Sequence, residues 1–178
     1  NNYQNVKILY QPQNILFFSL TVFLIQYLPH RYPFLLIDAV DDVVPGESIR
    51  AHKCVTSNEQ LFEGHFPGNP VMPGVLQIEA MGQAGALLGL LSGAKLDDKT
   101  SIYVTKITDC KFRRPVVPGD VMDIQGTVLR HRLGMWKFKC TVHVGEDLVS
   151  EAVITATTGP KVQPAPLPDS LPPPPKQF

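Results

Sequence analysis

The sequence predicts an α+β fold in which a curved antiparallel β-sheet wraps around one central apolar helix. Residues 75–91 are apolar on nearly every side, and a helix of that kind belongs in a protein interior. Segments with the character of strands lie on both sides of it, two before and four after. Short turn signals separate most of these strands, which favours antiparallel pairing of successive strands. Helix and strands in this arrangement are typical of the α+β class.

The first 27 residues differ from the rest of the chain. A polar opening is followed by an apolar stretch from Ile15 to Ile25, which is too short to span a bilayer. We expect a helix or strand packed on the body, with membrane association, or sequence foreign to the domain, as the alternatives. No firm membrane association is predicted.

Two strands precede the helix and four follow it. Residues 34–44 and 47–56 are separated by Pro45-Gly46 and predict a hairpin. Each later junction contains a glycine, as tight turns between strands require. The later strands are predicted at residues 102–114, 121–132, 135–144 and 148–158.

Composition excludes several function classes. Sixteen basic and sixteen acidic residues cancel, so no global field favours nucleic acid. The three cysteines are widely spaced and odd in number, which argues against a disulfide framework and favours a reducing compartment. No histidines are paired at metal-ligand spacing, along the chain or across the predicted hairpin, so no metal site is predicted.

The last residues have a separate character. Eight prolines occur after Gly159, and such a segment favours extended polyproline II rather than a packed core. We expect residues 159–178 to form a disordered or semi-stiff tail without catalytic function.

Two residues predict acid–base chemistry. Glu79 interrupts the apolar helix, and a desolvated carboxylate needs a partner, a proton or a wet cavity. His65 lies in the loop before the helix, where several prolines and glycines limit movement. An imidazole held near a helical carboxylate supplies both sides of a proton transfer, and the apolar helix is expected to raise the pKa of Glu79. The alternative is a purely structural His–Glu contact.

Three blocks of sequence carry a resemblance. They read LPHRYPFLLID (residues 28–38), HFPGNPVMPGVLQIEAM (65–81) and KFRRPVVPGD (111–120). In this order they resemble the β-hydroxyacyl-acyl carrier protein dehydratases of type II fatty acid synthesis, whose fold is the hot-dog fold. The resemblance covers residues 28–158 and implies a hot-dog dehydratase domain there. A related dehydratase that also isomerises double bonds has aspartate at the position that matches Glu79. The glutamate therefore implies the type that does not isomerise.

The resemblance implies a reaction and roles for three residues. The reaction is loss of water from a (3R)-hydroxyacyl thioester, carried on the phosphopantetheine of acyl carrier protein, to give a trans-2-enoyl thioester. His65 is expected to take the C2 proton, and Glu79 to assist loss of the hydroxyl, directly or through water. The backbone amide of Gly74 is expected to polarise the thioester carbonyl. No further cofactor is expected.

The resemblance also implies a tunnel, a docking surface and an assembly. Ordinary core packing is the alternative for each tunnel residue, and a solvated strand face is the alternative for the docking residues. The expected assembly is a homodimer with composite sites, arranged as a trimer of dimers, in a bacterial cytoplasm or a plastid-type organelle. The candidates are Phe66, Val71, Ile78, Leu90 and Tyr103 for the tunnel, and Lys111, Arg113 and Arg114 for docking of the carrier protein.

Other readings of the same sequence stay open at this point. The first is a hot-dog thioesterase that uses the helical carboxylate against the thioester carbonyl, and the second is a noncatalytic acyl-binding subunit. Residues 30–32 belong to the first block, but their position between two prolines predicts a structural role in the entry to the sheet.

Overall fold

The computed structural model describes Leu24 and residues 26–162. Most of the predicted N-terminal segment and the tail beyond residue 162 therefore lie outside the described residues. The strands are β1 (Ala39–Val44), β2 (Ser48–Cys54), β3 (Thr100–Phe112), β4 (Val121–Arg132), β5 (Met135–Val144) and β6 (Asp147–Pro160), and the helices are α1 (Leu61–Gly64) and α2 (Gly74–Leu91).

The six strands form one antiparallel sheet in the order β1-β2-β4-β5-β6-β3. Successive strands are neighbours in three hairpins, as expected. The exception is β3, which pairs with β6 at the edge of the sheet rather than with β4. The connection from β3 to β4 therefore crosses the sheet. It contains Pro115 and Pro118, which cannot donate ladder hydrogen bonds and so suit a segment outside the sheet.

The predicted bounds hold where strands end in glycine turns. The β4–β5 hairpin has the predicted limits, and its turn residues Leu133 and Gly134 have φ of 53° and 74°. Both angles lie in the left-handed region that a two-residue hairpin turn needs. The helix α2 begins one residue before its predicted start and ends at the predicted residue.

The predicted start of the first strand is wrong. Strand β1 begins at Ala39 rather than at Phe34 because residues 34–36 bond to the helix instead of to another strand. The Phe34 carbonyl accepts from Gln83 Nε2 at 2.6 Å, and the Leu36 N–H donates to Gln83 Oε1 at 2.9 Å. The short helix α1 was not predicted either.

The sheet encloses α2, as the apolar sequence predicts. Met81, Ala84, Leu87 and Leu88 are fully buried and belong to the core between helix and sheet. By length and composition α2 would also pass as a membrane span, yet 56% of it is buried against the rest of the described chain. The predicted α+β architecture, a curved sheet around an apolar helix, is confirmed.

One glycine on α2 is required by close packing. A Cβ at Gly85 would lie 2.9 Å from the ring of Phe138 on β5, which is below normal contact, whereas a Cβ at Gly89 would meet Trp136 at an ordinary 3.7 Å. A Cβ at Gly82 would meet no described atom within 4 Å. Close approach of the sheet therefore explains Gly85 and leaves Gly82 without a packing partner in the described chain.

We predict opposite effects for alanine at two positions one helical turn apart. Gly85→Ala should lower the free energy of unfolding by about 1–3 kcal/mol, since Phe138 must move. Gly89→Ala should raise it by up to about 1 kcal/mol through helix propensity. Urea denaturation of both variants beside the wild type measures this. Equal effects would show that Phe138 does not constrain the helix.

Candidate active site

His65 is held in a fixed orientation at the end of α1. Its backbone N–H donates to Leu61 O at 3.1 Å, and its Nδ1 lies 2.6 Å from Val71 O. The phenyl ring of Phe66 stacks on the imidazole with ring centroids 4.0 Å apart. Because a carbonyl oxygen only accepts hydrogen bonds, Nδ1 carries the proton in the neutral ring. The other nitrogen, Nε2, is therefore unprotonated and available as a base.

The imidazole borders an open pocket of about 490 Å³ at the start of α2. The pocket brings together five predicted site residues, namely His65, Val71, Gly74 and the docking candidates Arg113 and Arg114. The side chains of Arg113 and Arg114 form part of its wall. The pocket is lined by His65, Val71, Met72, Gly74, Val75, Gln77, Phe112, Arg113, Arg114 and Pro115.

Gly74 is the first residue of α2, directly after Pro73. The Pro73 carbonyl accepts from the N–H groups of Leu76 and Gln77, while those of Gly74 and Val75 precede any helical carbonyl partner. A Cβ at position 74 would lie 2.8 Å from the ring of Phe112. Glycine thus leaves room at a helix N-terminus, where unpaired donors and the helix dipole favour developing negative charge.

Glu79 lies in a different polar network. Its Oε1 accepts from Gln83 Nε2 at 2.9 Å and lies 3.2 Å from His30 Nε2. The Gln83 side chain is buried and is also bonded to Phe34 and Leu36. The side chains of His30 and Glu79 are 26% and 30% exposed, so this carboxylate borders solvent in the single chain.

The expected raised pKa of Glu79 is wrong in this structure. The hydrogen bond from His30 is the largest cause and lowers the pKa of Glu79, and the Gln83 hydrogen bond adds to it. Desolvation by the apolar helix acts in the opposite direction but is outweighed. Hydrogen bonds to the charged form favour it, so Glu79 is a carboxylate near neutral pH.

Glu79 does not line the pocket of His65 in the described chain. Gly74 and Gln77 line the pocket of His65, and Glu79 follows them by five and two residues. At about 100° per residue, Glu79 is rotated by about 140° and 200° from these two positions. It is rotated by only about 40° from Val75, which also lines the pocket but lies one helical turn earlier. The described chain therefore has an imidazole and a helix N-terminus in one pocket, and a carboxylate with its own donors outside the lining of that pocket.

The five predicted tunnel residues do not line one cavity in the described chain. Val71 borders the His65 pocket, whereas Leu90 borders an apolar gap of only about 20 Å³ between α2 and the sheet. Phe66 borders a surface groove beside α1, and Ile78 packs partly against the core. Tyr103 donates its hydroxyl to Pro160 O at 2.8 Å, which ties β3 to the end of β6. A tunnel built from these residues remains a prediction.

Two of the three predicted docking residues form ion pairs within the chain. Arg113 forms an ion pair with Glu151, and Arg114 lies 3.2 Å from Asp120 and 3.3 Å from Asp147. Lys111 is exposed and stands opposite Glu151 in the β3–β6 register. Among the described residues, no group of three or more His, Cys, Asp or Glu side chains is placed to hold a metal ion.

Sequence reasoning missed three members of these networks. His30 was assigned to chain entry, yet it contacts Glu79, and Gln83 links that carboxylate to the entry segment. Gln77 is 3% exposed and lines the His65 pocket. A signal was present: Gln77 and Gln83 interrupt an otherwise apolar helix, and buried amides need partners.

The fold and this arrangement define a hot-dog protein with a histidine at the N-terminus of its central helix. The chain matches the FabA-like domain family over residues 28–153. It is 51% identical over 130 residues to the 3-hydroxyacyl-[acyl-carrier-protein] dehydratase FabZ of Nitratidesulfovibrio vulgaris, covering 72% of this chain and 84% of that protein. The chain therefore belongs to the FabA-like family, within it to the FabZ-type dehydratases, which are hydro-lyases.

Solved structures support the fold alone. A chain of the dehydratase heterocomplex ApeI:P from Xenorhabdus doucetiae is 18% identical, with a TM-score of 0.65 over 76% of this chain and 90% of that one. The thioesterase HI1161 from Haemophilus influenzae is 17% identical, with a TM-score of 0.50 over 68% and 78% of the two chains. Since both activities occur on similar backbones, sequence and site must decide between them.

The hydrogen bond to Val71 predicts the tautomer of His65. In protein labelled with ¹⁵N-histidine, NMR at a pH where the ring is neutral should show the proton on Nδ1. The His65→Ala variant assigns the signal. A proton on Nε2 would contradict the orientation described and would remove the free base from the pocket.

Proposed function

We propose that the chain removes water from a (3R)-hydroxyacyl thioester on acyl carrier protein to give the trans-2-enoyl thioester. One observation carries the proposal: His65, whose Nδ1 is bonded to Val71 O and whose Nε2 is left unprotonated, borders one pocket together with Gly74 at the N-terminus of α2. A base for C2 and a donor for the thioester carbonyl thus border the same pocket, as an elimination next to a thioester requires. The carrier's phosphopantetheine brings the substrate, and no other cofactor enters the proposed reaction.

In the proposed reaction His65 serves as both the base and the acid, so no other proton donor is needed. His65 Nε2 takes the C2 proton while the Gly74 N–H holds the enolate-like oxygen. The imidazolium then returns that proton to the C3 hydroxyl, the C3–O bond breaks, and water leaves. Because the pKa of Glu79 is lowered, its carboxylate acts by accepting a hydrogen bond from the hydroxyl and orienting it. This replaces direct proton donation by Glu79.

We propose that Glu79 reaches the substrate across a subunit interface. Val75 is 71% exposed, and Ile78, Glu79 and Gly82 are partly exposed, so one stripe of α2 is uncovered in the single chain. The spacing of three and four residues places them on one helix face. Because this stripe is largely apolar, a second copy packed against it would bury apolar surface. It would also bring Glu79 toward the His65 pocket of the partner subunit.

The edge of the sheet supports the same assembly. Strand β3 is an edge strand in the single chain, and it exposes Val104 and Ile107 by 47% and 45%. Unpaired edges with apolar side chains favour pairing with another strand. A β3–β3 contact and an α2–α2 contact in one homodimer would cover both surfaces. A trimer of such dimers stays a proposal from the resemblance.

A basic groove offers a docking surface for the acidic carrier. Lys106, Lys137 and Arg130 stand in one row across β3, β5 and β4, with Thr155 between the first two, and Arg132 lies next to them. They border a groove of about 430 Å³. Within residues 26–162, none of these four forms an ion pair within 4 Å, in contrast to Arg113 and Arg114. We propose that docking extends onto this groove.

Charge reversal tests the groove. We expect Arg130→Glu or Lys137→Glu to raise the KM for the carrier-linked substrate roughly tenfold, equivalent to about 1.4 kcal/mol, by like-charge repulsion. A small thioester without carrier should be turned over as by the wild type. Lys95→Glu, an exposed lysine outside the groove, is the control. Equal KM values for all variants would remove the groove from the docking surface.

Substitution of the two proposed catalytic residues tests the reaction. His65→Ala should lower the rate of enoyl formation by at least about 10²-fold, because a positioned proton-transfer group contributes that much. Glu79→Gln should lower it by about 10²-fold, because the hydroxyl loses the carboxylate that orients it. His131→Ala, at the β4–β5 hairpin, should keep the rate. Release of free thiol instead of enoyl absorbance would favour the thioesterase alternative, and full activity of either variant would defeat the assignment.

Mixing the two inactive variants tests the shared site. If subunits exchange, His65→Ala and Glu79→Gln chains should form mixed dimers in which one site keeps both residues. With random pairing, half of the dimers are mixed, so a measurable fraction of wild-type activity should return. Exchange is confirmed separately with two affinity tags. Mixed dimers without activity would show that each chain uses its own Glu79.

A further inference from the structure

The surroundings of Glu79 contain a residue with no role in the proposed reaction. His30 lies in the segment that leads into the sheet, and its Nε2 is 3.2 Å from Glu79 Oε1. A carboxylate oxygen only accepts hydrogen bonds, so the imidazole places a proton on Nε2. The Nδ1 atom is buried and has no partner among the described residues.

The two oxygens of Glu79 are not equivalent. Oε1 receives the hydrogen bond of Gln83 at 2.9 Å and faces His30 at 3.2 Å. Within the described chain, the hydrogen bond and the ion pair of this carboxylate both involve Oε1, so Oε2 has no polar partner there, on a side chain that is 30% exposed. Two donors on one oxygen fix the plane of the carboxylate and set the direction in which the other oxygen points.

The two donors to Glu79 belong to different segments of the chain. Gln83 is buried on α2 and is bonded at 2.6 Å and 2.9 Å to Phe34 and Leu36. His30 precedes the turn that ends at Phe34, whose N–H donates to Arg31 O at 2.7 Å. Glu79 is thus clamped between its own helix and the entry segment, rather than held by α2 alone.

We infer that His30 is the positioning residue of Glu79: with Gln83 it holds Oε1 and directs Oε2 toward the substrate hydroxyl. This inference rests on the proposed dehydration for its catalytic meaning, but the contact itself does not. His30 acts through Glu79 and touches neither the reacting atoms nor the thioester. Its substitution should therefore change turnover more than substrate binding.

Two side chains and desolvation by burial determine the pKa of Glu79 in the described chain. His30 is the titratable side chain that acts on it, Gln83 adds a neutral amide, and the apolar helix desolvates it. The hydrogen bond from His30 is the largest cause that lowers the pKa of Glu79. When His30 is replaced by an apolar residue, desolvation opposes only the Gln83 bond, and the pKa of Glu79 should rise.

Two substitutions at position 30 separate positioning from packing. His30→Leu keeps an apolar side chain of moderate size but removes the donor. His30→Gln keeps a neutral N–H donor. The matched control is His52→Leu, since His52 Nδ1 lies 2.8 Å from Asp41 on the β1–β2 surface, a second His–carboxylate pair outside the site. Circular dichroism and thermal unfolding establish that each variant is folded.

The variants are compared by two readouts in the full chain. Steady-state enoyl formation should show kcat reduced roughly 10²-fold in His30→Leu, the cost of a misplaced group, with little change in KM. His30→Gln should recover most of the loss. In protein labelled with ¹³C-glutamate, the Glu79 carboxyl, assigned by Glu79→Gln, should titrate at higher pH in His30→Leu than in the wild type. His52→Leu should change neither readout.

Two results would overturn the inference. One is a folded His30→Leu variant in which the Glu79 carboxyl titrates as in the wild type. The other is a loss of kcat that His30→Gln does not recover, which would show that only the packing of His30 matters. If the wild type formed no enoyl product, the proposed function would fail, while the carboxyl titration would still decide whether His30 acts on Glu79.

Discussion

One buried amide, the side chain of Gln83, connects the central helix to the segment that enters the sheet. It donates to Phe34 O and Glu79 Oε1 and accepts from the Leu36 N–H, so both its donor and acceptor functions are used. A buried amide without these partners would be costly, which makes the connection specific. These three hydrogen bonds explain why residues 34–36 do not join the sheet and why the side chain of Glu79 is held in one position.

The central helix carries two parts of the candidate site. Its N-terminus supplies the Gly74 N–H beside His65, and a face further along supplies Glu79 with its donors. Enclosure by the sheet desolvates the helix, yet the hydrogen bonds to Glu79 outweigh that effect and keep it charged. In the proposed reaction the protein supplies one base that carries the proton and one carboxylate that orients the hydroxyl. We propose that a second chain brings the two together, because Glu79 does not line the His65 pocket of its own chain.

Much of the fold was predictable because it follows from local patterns. The limits of β4, β5 and α2 were set by alternation, glycine turns and one uniformly apolar stretch. The membership of His65 and Gly74 in one pocket was predictable from their motif. The position of β3 beside β6 was not, because pairing between distant strands leaves no local signal. The lowered pKa of Glu79 was missed for the same reason: its strongest partner, His30, is distant in sequence.

A crystal structure of the Glu79→Gln variant in its solution assembly, with a (3R)-hydroxyacyl pantetheine thioester bound, would test the central claim most directly. We predict His65 Nε2 beside C2, the Gly74 N–H at the thioester oxygen, and the substituted side chain at position 79 of the partner subunit at the C3 hydroxyl. A hydroxyacyl group bound away from His65, or bound with position 79 of every subunit out of reach of the hydroxyl, would contradict that claim.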